Sequence, residues 1–292
     1  MLVQDVPVTA TRQVTADSVD GDTMVVTRTL ERSIGGTEEP AQELRYAVDR
    51  ETAESVAPPD DAEGVLDSEG LVFTLPIDPS TDDGEYTLWD QTTETANPLE
   101  YAGTETLEGR TVREFRSTAA GPVADPEALG LPTALPRAAL AALGPALADL
   151  VPPQVAAQLP AILPQLPAQI PLSYDSRTEA TLFADAELGA TISGASTQEI
   201  TARLALGPTE LEVPFSTVEL ASTDRSISDR ASDTADSATQ LTLIGTVAPL
   251  VALGLGLLLL VLAAFLARRA ATRRGSTPPP AATPASRPRQ RV

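Results

Sequence analysis

Apolar and polar side chains alternate in three early segments. Met24, Val26 and Leu30 stand against Thr27, Thr29 and Glu31; Leu44, Tyr46 and Val48 against Arg45; Leu71, Phe73 and Leu75 against Thr74. A period of two sends one set to a buried face and the other to water, so each segment predicts a half-buried strand. Asp20-Gly21, Gly35-Gly36, Asp83-Gly84 and Glu108-Gly109 punctuate the pattern, glycine supplying the positive φ of a tight hairpin. The last of these pairs separates Thr106-Leu107 from Thr111-Val112-Arg113-Glu114-Phe115, and residues 180–183, 199–204 and 210–220 read as further strands. Evenly spaced strands joined by short turns predict an antiparallel meander.

Two segments break the alternation. Residues 125–171 are rich in Ala, Leu and Pro and, after Asp125, carry only Glu127, Arg137 and Asp149 as charges. Prolines recur too often for one long helix, so the segment predicts several short ones. An apolar insertion in an acidic domain has to cover its surface against the sheet, a lipid or the bilayer. Leu140, Leu143 and Leu147 are its candidate lipid-contact residues.

The second segment, residues 241–267, has no charge and ends in Arg268-Arg269 and Arg273-Arg274. As a helix it reaches roughly 40 Å, enough to cross a hydrocarbon core of about 30 Å with some tilt. All seven basic residues beyond it lie in a tail without acids, and basic flanks stay cytoplasmic, so the preceding domain is expected outside. The fold class expected is mainly β: an antiparallel meander domain over residues 1–222 with the helical insertion at 125–171. A polar stalk helix (223–240), a single transmembrane helix (241–267) and a disordered basic cytoplasmic tail (268–292) follow.

Charge and composition narrow the function. All 41 acidic residues precede residue 241, with 13 of the 20 basic ones, giving that part a net −28. Such a field repels nucleic acid and anionic lipid headgroups, so neither is expected as a ligand of the domain as a whole. The chain has no Cys, no His and no Lys. It therefore lacks the means for a Ser-His-Asp triad, a thiolate nucleophile, a His or Cys zinc site or a Walker loop. The acid pairs Glu38-Glu39, Asp60-Asp61 and Asp82-Asp83 sit among Pro, Gly, Ser and Thr and read as solvated turns. Asp78, Asp82, Asp83 and Glu85 depart from the spacing of an EF-hand calcium loop. Neither an enzyme nor a cofactor is expected.

A set of motifs in fixed order gives a resemblance: Asp5-Val6-Pro7-Val8-Thr9-Ala10-Thr11-Arg12, Tyr46-Ala47-Val48-Asp49-Arg50-Glu51-Thr52, Tyr86-Thr87-Leu88-Trp89-Asp90, and Tyr101-Ala102-Gly103-Thr104-Glu105 with Gly109 and Phe115. Together with the C-terminal apolar helix, they resemble the actinobacterial porin PorA family, also described as a domain of unknown function, over most of residues 5–267. The family's acidic turns read Asp-x-x-Thr-Gly, and Ala53 and Ala190 stand at the glycine-like positions here. The resemblance implies no catalytic residues. It also implies an N-terminal membrane helix, and Met1-Leu2-Val3-Gln4-Asp5 has neither a basic nor an apolar leader region. A start codon placed too late is the expectation.

The family's name conflicts with the pattern, because a porin barrel needs strands of about ten residues with an apolar lipid-facing side and aromatic girdles. The alternating runs here are short and acidic and aromatics make up 3%. The expectation is a membrane-anchored, non-enzymatic envelope protein assisting assembly or transport of envelope lipids or glycolipids. Its alternative is a scaffold that binds another membrane protein through the acidic domain. A pore is the weakest of the three readings. Expected partners are the plasma-membrane bilayer, envelope lipids or glycolipids and other membrane proteins, with no nucleic acid.

Overall fold

The structure is a computed structural model that describes residues 6–147, 161–206 and 209–274. The chain forms two units, residues 1–236 and 237–292. The first is the β domain. Its N-terminal sheet pairs β1 (Val8–Asp20) with β2 (Thr23–Ile34), and β2 in turn with the short β3 (Thr37–Glu38) and with β4 (Gln42–Asp49). The second sheet runs β5 (Tyr86–Asp90), β6 (Thr95–Leu107), β7 (Arg110–Pro122), β9 (Gln169–Asp185), β10 (Thr191–Leu206) and β11 (Thr209–Ala221), each antiparallel to the next. The small β8 (Ala134–Pro136), inside the insertion, pairs with the start of β9. Both sheets are meanders, as the alternation predicts.

The strands are longer than their alternating cores: β9 has 17 residues and β10 has 16. β1 contributes 13 residues without an alternation signal, because all but Val8 are exposed. Residues 71–75 are the converse case. They alternate and bury Leu71 and Leu75, yet form an irregular crossing segment, Leu71 N–H bonding Thr87 O at 2.8 Å and Leu75 N–H bonding Gly189 O at 3.2 Å. Leu71 and Leu75 join one apolar cluster and Val72 and Phe73 another, so the segment is covered on both sides and its alternation does not mark a single buried face.

One turn design recurs at the ends of β4, β5 and β9. Asp49 Oδ1 accepts the N–H groups of Glu51 and Thr52, both at 2.8 Å. Asp90 Oδ1 accepts those of Thr92 and Thr93, and Asp185 Oδ1 those of Glu187 and Leu188. The fourth residue after each Asp takes positive φ: Ala53 at 59°, Glu94 at 51° and Gly189 at 68°. The left-handed position in the third turn is thus Gly189, not Ala190. At Gly189 a Cβ would meet Pro76 O at 2.0 Å, so close backbone approach requires glycine there as well.

The helix α2 (Asp224–Thr242) begins inside the β domain. Its first half is packed, Ile227 and Ala231 lying against Val112, Ile192, Leu107 and Phe183. The second unit contains a π-helical turn (Leu243–Val247) and α3 (Ala248–Arg274), apolar on every face up to its arginines. Helix therefore continues past residue 268, where the basic tail was expected to be irregular. Residues 275–292 lie outside the described residues.

Candidate lipid-contact surface and membrane element

The insertion between β7 and β9 folds back on the sheet that flanks it. Arg137 opens α1 (Arg137–Leu147), its N–H bonding Ala168 O at 3.0 Å and its guanidinium donating to Leu166 O at 2.8 Å. Those bonds tie the two ends of the insertion together. Leu140, 1% exposed, and Leu166 then meet Ile170 and Tyr174 of β9, Ile200, Ala202 and Leu204 of β10 and Leu211 of β11. Tyr174 OH donates to Pro132 O at 2.7 Å, pinning the loop before α1 to the floor of the cluster. Phe215, 46% exposed, stands at its rim edge-on to Tyr174 at 5.4 Å.

Of the three leucines singled out by sequence, Leu140 thus belongs to a packed core. It can meet a lipid only if the insertion lifts from the sheet. The side chains of Leu143 and Leu147, with residues 148–160, lie outside the described residues.

The other face of the second sheet is a lattice of ion pairs. Arg116 meets Glu114 and Arg177 meets Glu179, each at 2.7 Å, while Arg203 meets Asp175 and, at 3.4 Å, Glu212. In length these strands exceed the ten or so residues a barrel strand needs, so the objection to a barrel from short strands falls. The objection from polarity stands for this fold: one face carries charge and the other is covered by the insertion and the crossing segment.

Two open recesses lie on the domain. One, about 600 Å³, is lined by Asp78, Arg110, Asp185 and Glu187 among others; the second holds Asp175, Arg177, Glu199 and Arg203. Both linings mix charged side chains with apolar surface, and neither is the mainly apolar cavity that suits an acyl chain. Within the first, Arg110 holds Asp185 through bonds of 2.7 and 2.8 Å. Burial pushes the Asp185 carboxyl up, but the Arg110 hydrogen bonds and the Leu188 and Glu187 N–H groups outweigh it and leave the pKa lowered. The arrangement is a structural clamp on the β9–β10 turn. Asp78 pairs with Arg113 at 3.2 Å, and among the described residues no group of three or more acids is placed to hold a metal.

Among the described residues, the helical run Asp224–Arg269 contains one stretch long and apolar enough to span a bilayer, with mean hydropathy 2.9 in its best window and none of that window buried. That stretch, apolar all round and uncovered, is stable in lipid. A comparison with curated proteins finds no match. The family model described as Porin PorA matches residues 2–265 of the 292, and the chain belongs to that family.

Proposed function

We propose that this PorA-family protein is a membrane-anchored, non-enzymatic component of the cell envelope that assists the assembly or transport of envelope lipids or glycolipids. In this reading the arginine-rich end of α3 is cytoplasmic and the acidic β domain extracytoplasmic. The apolar cluster under the insertion carries the proposal: its floor on β9–β11 is continuous, and its cover is a proline-cut segment joined to the sheet by the short β8–β9 ladder, the Tyr174–Pro132 hydrogen bond and apolar packing. Lifting that cover would open a lipid-sized apolar surface whose rim already exposes Phe215 and Leu129.

A second reading is a pore, favoured by the family's name and by strands long enough to cross a membrane. Forming one from this fold would require the ion-paired face and the insertion to rearrange. Purifying the full chain in mild detergent, identifying co-purified lipids by mass spectrometry and measuring conductance in planar bilayers separates the two. Retained envelope lipid without conductance steps supports the first reading. Reproducible steps from protein without bound lipid replace it with the second.

A further inference from the structure

The N-terminal sheet divides its charges by face. Pairing of Ala10 with Arg32, Arg12 with Leu30, Val14 with Arg28, and Arg28 with Leu44 sets the even-numbered positions of β2 and β4, and those of β1 up to its bulge after Ala16, on one side. None of those positions, 8 to 16, 24 to 34 and 42 to 48, is acidic, although the chain has 41 acids against 20 basic residues. The opposite side carries Glu31, Glu43 and Asp49.

Part of the basic face is roofed where Val26, Tyr46 and Val48 pack with Val72, Phe73 and Trp89. The part on β1 and the far end of β2 is not: Val14 is 36% exposed and Ile34 is 40% exposed. At the border stand three arginines from three elements. The Arg28 guanidinium lies 5.8 Å from the Tyr46 ring centre, and its Nε is buried with no hydrogen-bond partner among the described residues. Arg230 of α2 reaches Thr191 O with one nitrogen, at 3.2 Å. Arg12 is solvent-exposed as a residue, yet its pKa falls to about 10, first through desolvation, then through the charges of Arg230 and Arg28. Arg12 thus feels the charges of Arg28, which shares its face of the sheet by register, and of Arg230. Arg32, farther along β2, has Glu39 at 3.8 Å; Arg225, on α2, has Asp229 at 3.7 Å. No ion pair engages Arg12, Arg28 or Arg230 among the described residues.

Three converging like charges repel one another, and a buried N–H donor without an acceptor costs free energy. An anion with several oxygens removes both penalties, since guanidinium forks match phosphate and carboxylate geometry. We propose that Arg12, Arg28 and Arg230 form a recess for the phosphodiester headgroup of an anionic lipid, with the exposed apolar positions Ala10, Val14 and Ile34 beside it for the chain. The uncovered apolar flank favours a lipid over free phosphate. The inference takes from the proposed function only the lipid source of the anion.

The test is native mass spectrometry of the full chain in detergent micelles with phosphatidylglycerol, phosphatidylcholine or inorganic phosphate. Trp89 fluorescence melts establish that each variant is folded. Phosphatidylglycerol should be retained over phosphatidylcholine, and Arg12→Gln or Arg230→Gln should each weaken retention about tenfold, the effect of losing one charge-assisted hydrogen bond. Arg225→Gln should leave it unchanged. Equal retention of both lipids, or retention indifferent to Arg12→Gln and Arg230→Gln, overturns the recess while lipid binding itself survives. Phosphate bound as well as phosphatidylglycerol overturns the lipid source, and retention of neither lipid by the parent chain overturns both.

Discussion

Replacing Asp185 by Ala tests whether the clamp at the β9–β10 turn holds the domain together. The Asp185 side chain is 1% exposed and that of Arg110 19%. The substitution removes two bonds to Arg110 and leaves the N–H groups of Glu187 and Leu188 without their acceptor. Breaking a buried pair from one side costs about 3–5 kcal/mol. Arg110 keeps some hydration and Glu187 at 3.4 Å, so the lower end, about 3 kcal/mol, applies. For a domain of this size that is a fall in Tm of about 6–12 °C. Fluorescence of Trp89, the single tryptophan, reports the melt in detergent. Adding Arg110→Met should recover part of the loss by removing the stranded charge.

The acid arm has a fixed sign. Asp185 titrates below the ordinary carboxylate value when folded, so its contribution is present above about pH 3.9 and is lost as pH falls through the lower folded value. The variant should therefore approach the parent's Tm as pH drops below about 4. A Tm change under about 2 °C at neutral pH, or an equal gap between variant and parent at every pH, would refute the clamp.

Leu140→Asp should cost the closed insertion at least about 3 kcal/mol and abolish lipid flotation while the sheet still folds; global unfolding in the melt would make the insertion a fixed cover and count against the lipid reading. Gly189→Ala should cost about 2–4 kcal/mol, the methyl meeting Pro76 O and Leu75 O in a left-handed backbone. Ala53→Gly should raise stability by about 0.5–1 kcal/mol by relieving the same backbone strain without a clash, and thermal melts of the pair read both signs. Reporters fused at Thr223 and Val292 should be active outside and in the cytoplasm respectively; exchanged activities would reverse the proposed topology.

What could be read from the sequence followed coverage rather than pairing. β2 and β4 were legible because Val72, Phe73 and Trp89 bury one side of them, and the last helix because it is apolar on every side. β1 was illegible because neither of its faces is closed, and nothing in its composition distinguishes an exposed strand from a loop. The insertion's leucines were recognisable as apolar, but whether they meet lipid or sheet depends on β9, which runs 17 residues from Gln169 and supplies the floor. The Asp turns were half visible: the acidic-turn pattern marks Ala53 and, one residue late, Ala190, whereas the turn at Asp90 places its positive φ on Glu94, a residue type that signals nothing of the kind. Charge was the least legible of all. Arg110 and Asp185 are 75 positions apart, and Arg12, Arg28 and Arg230 come together only through one strand register and one packed helix. A net charge of −21 describes the field that a distant ligand meets. It says nothing of a face from which the fold has removed every acid, and that face is where an anion can approach this protein.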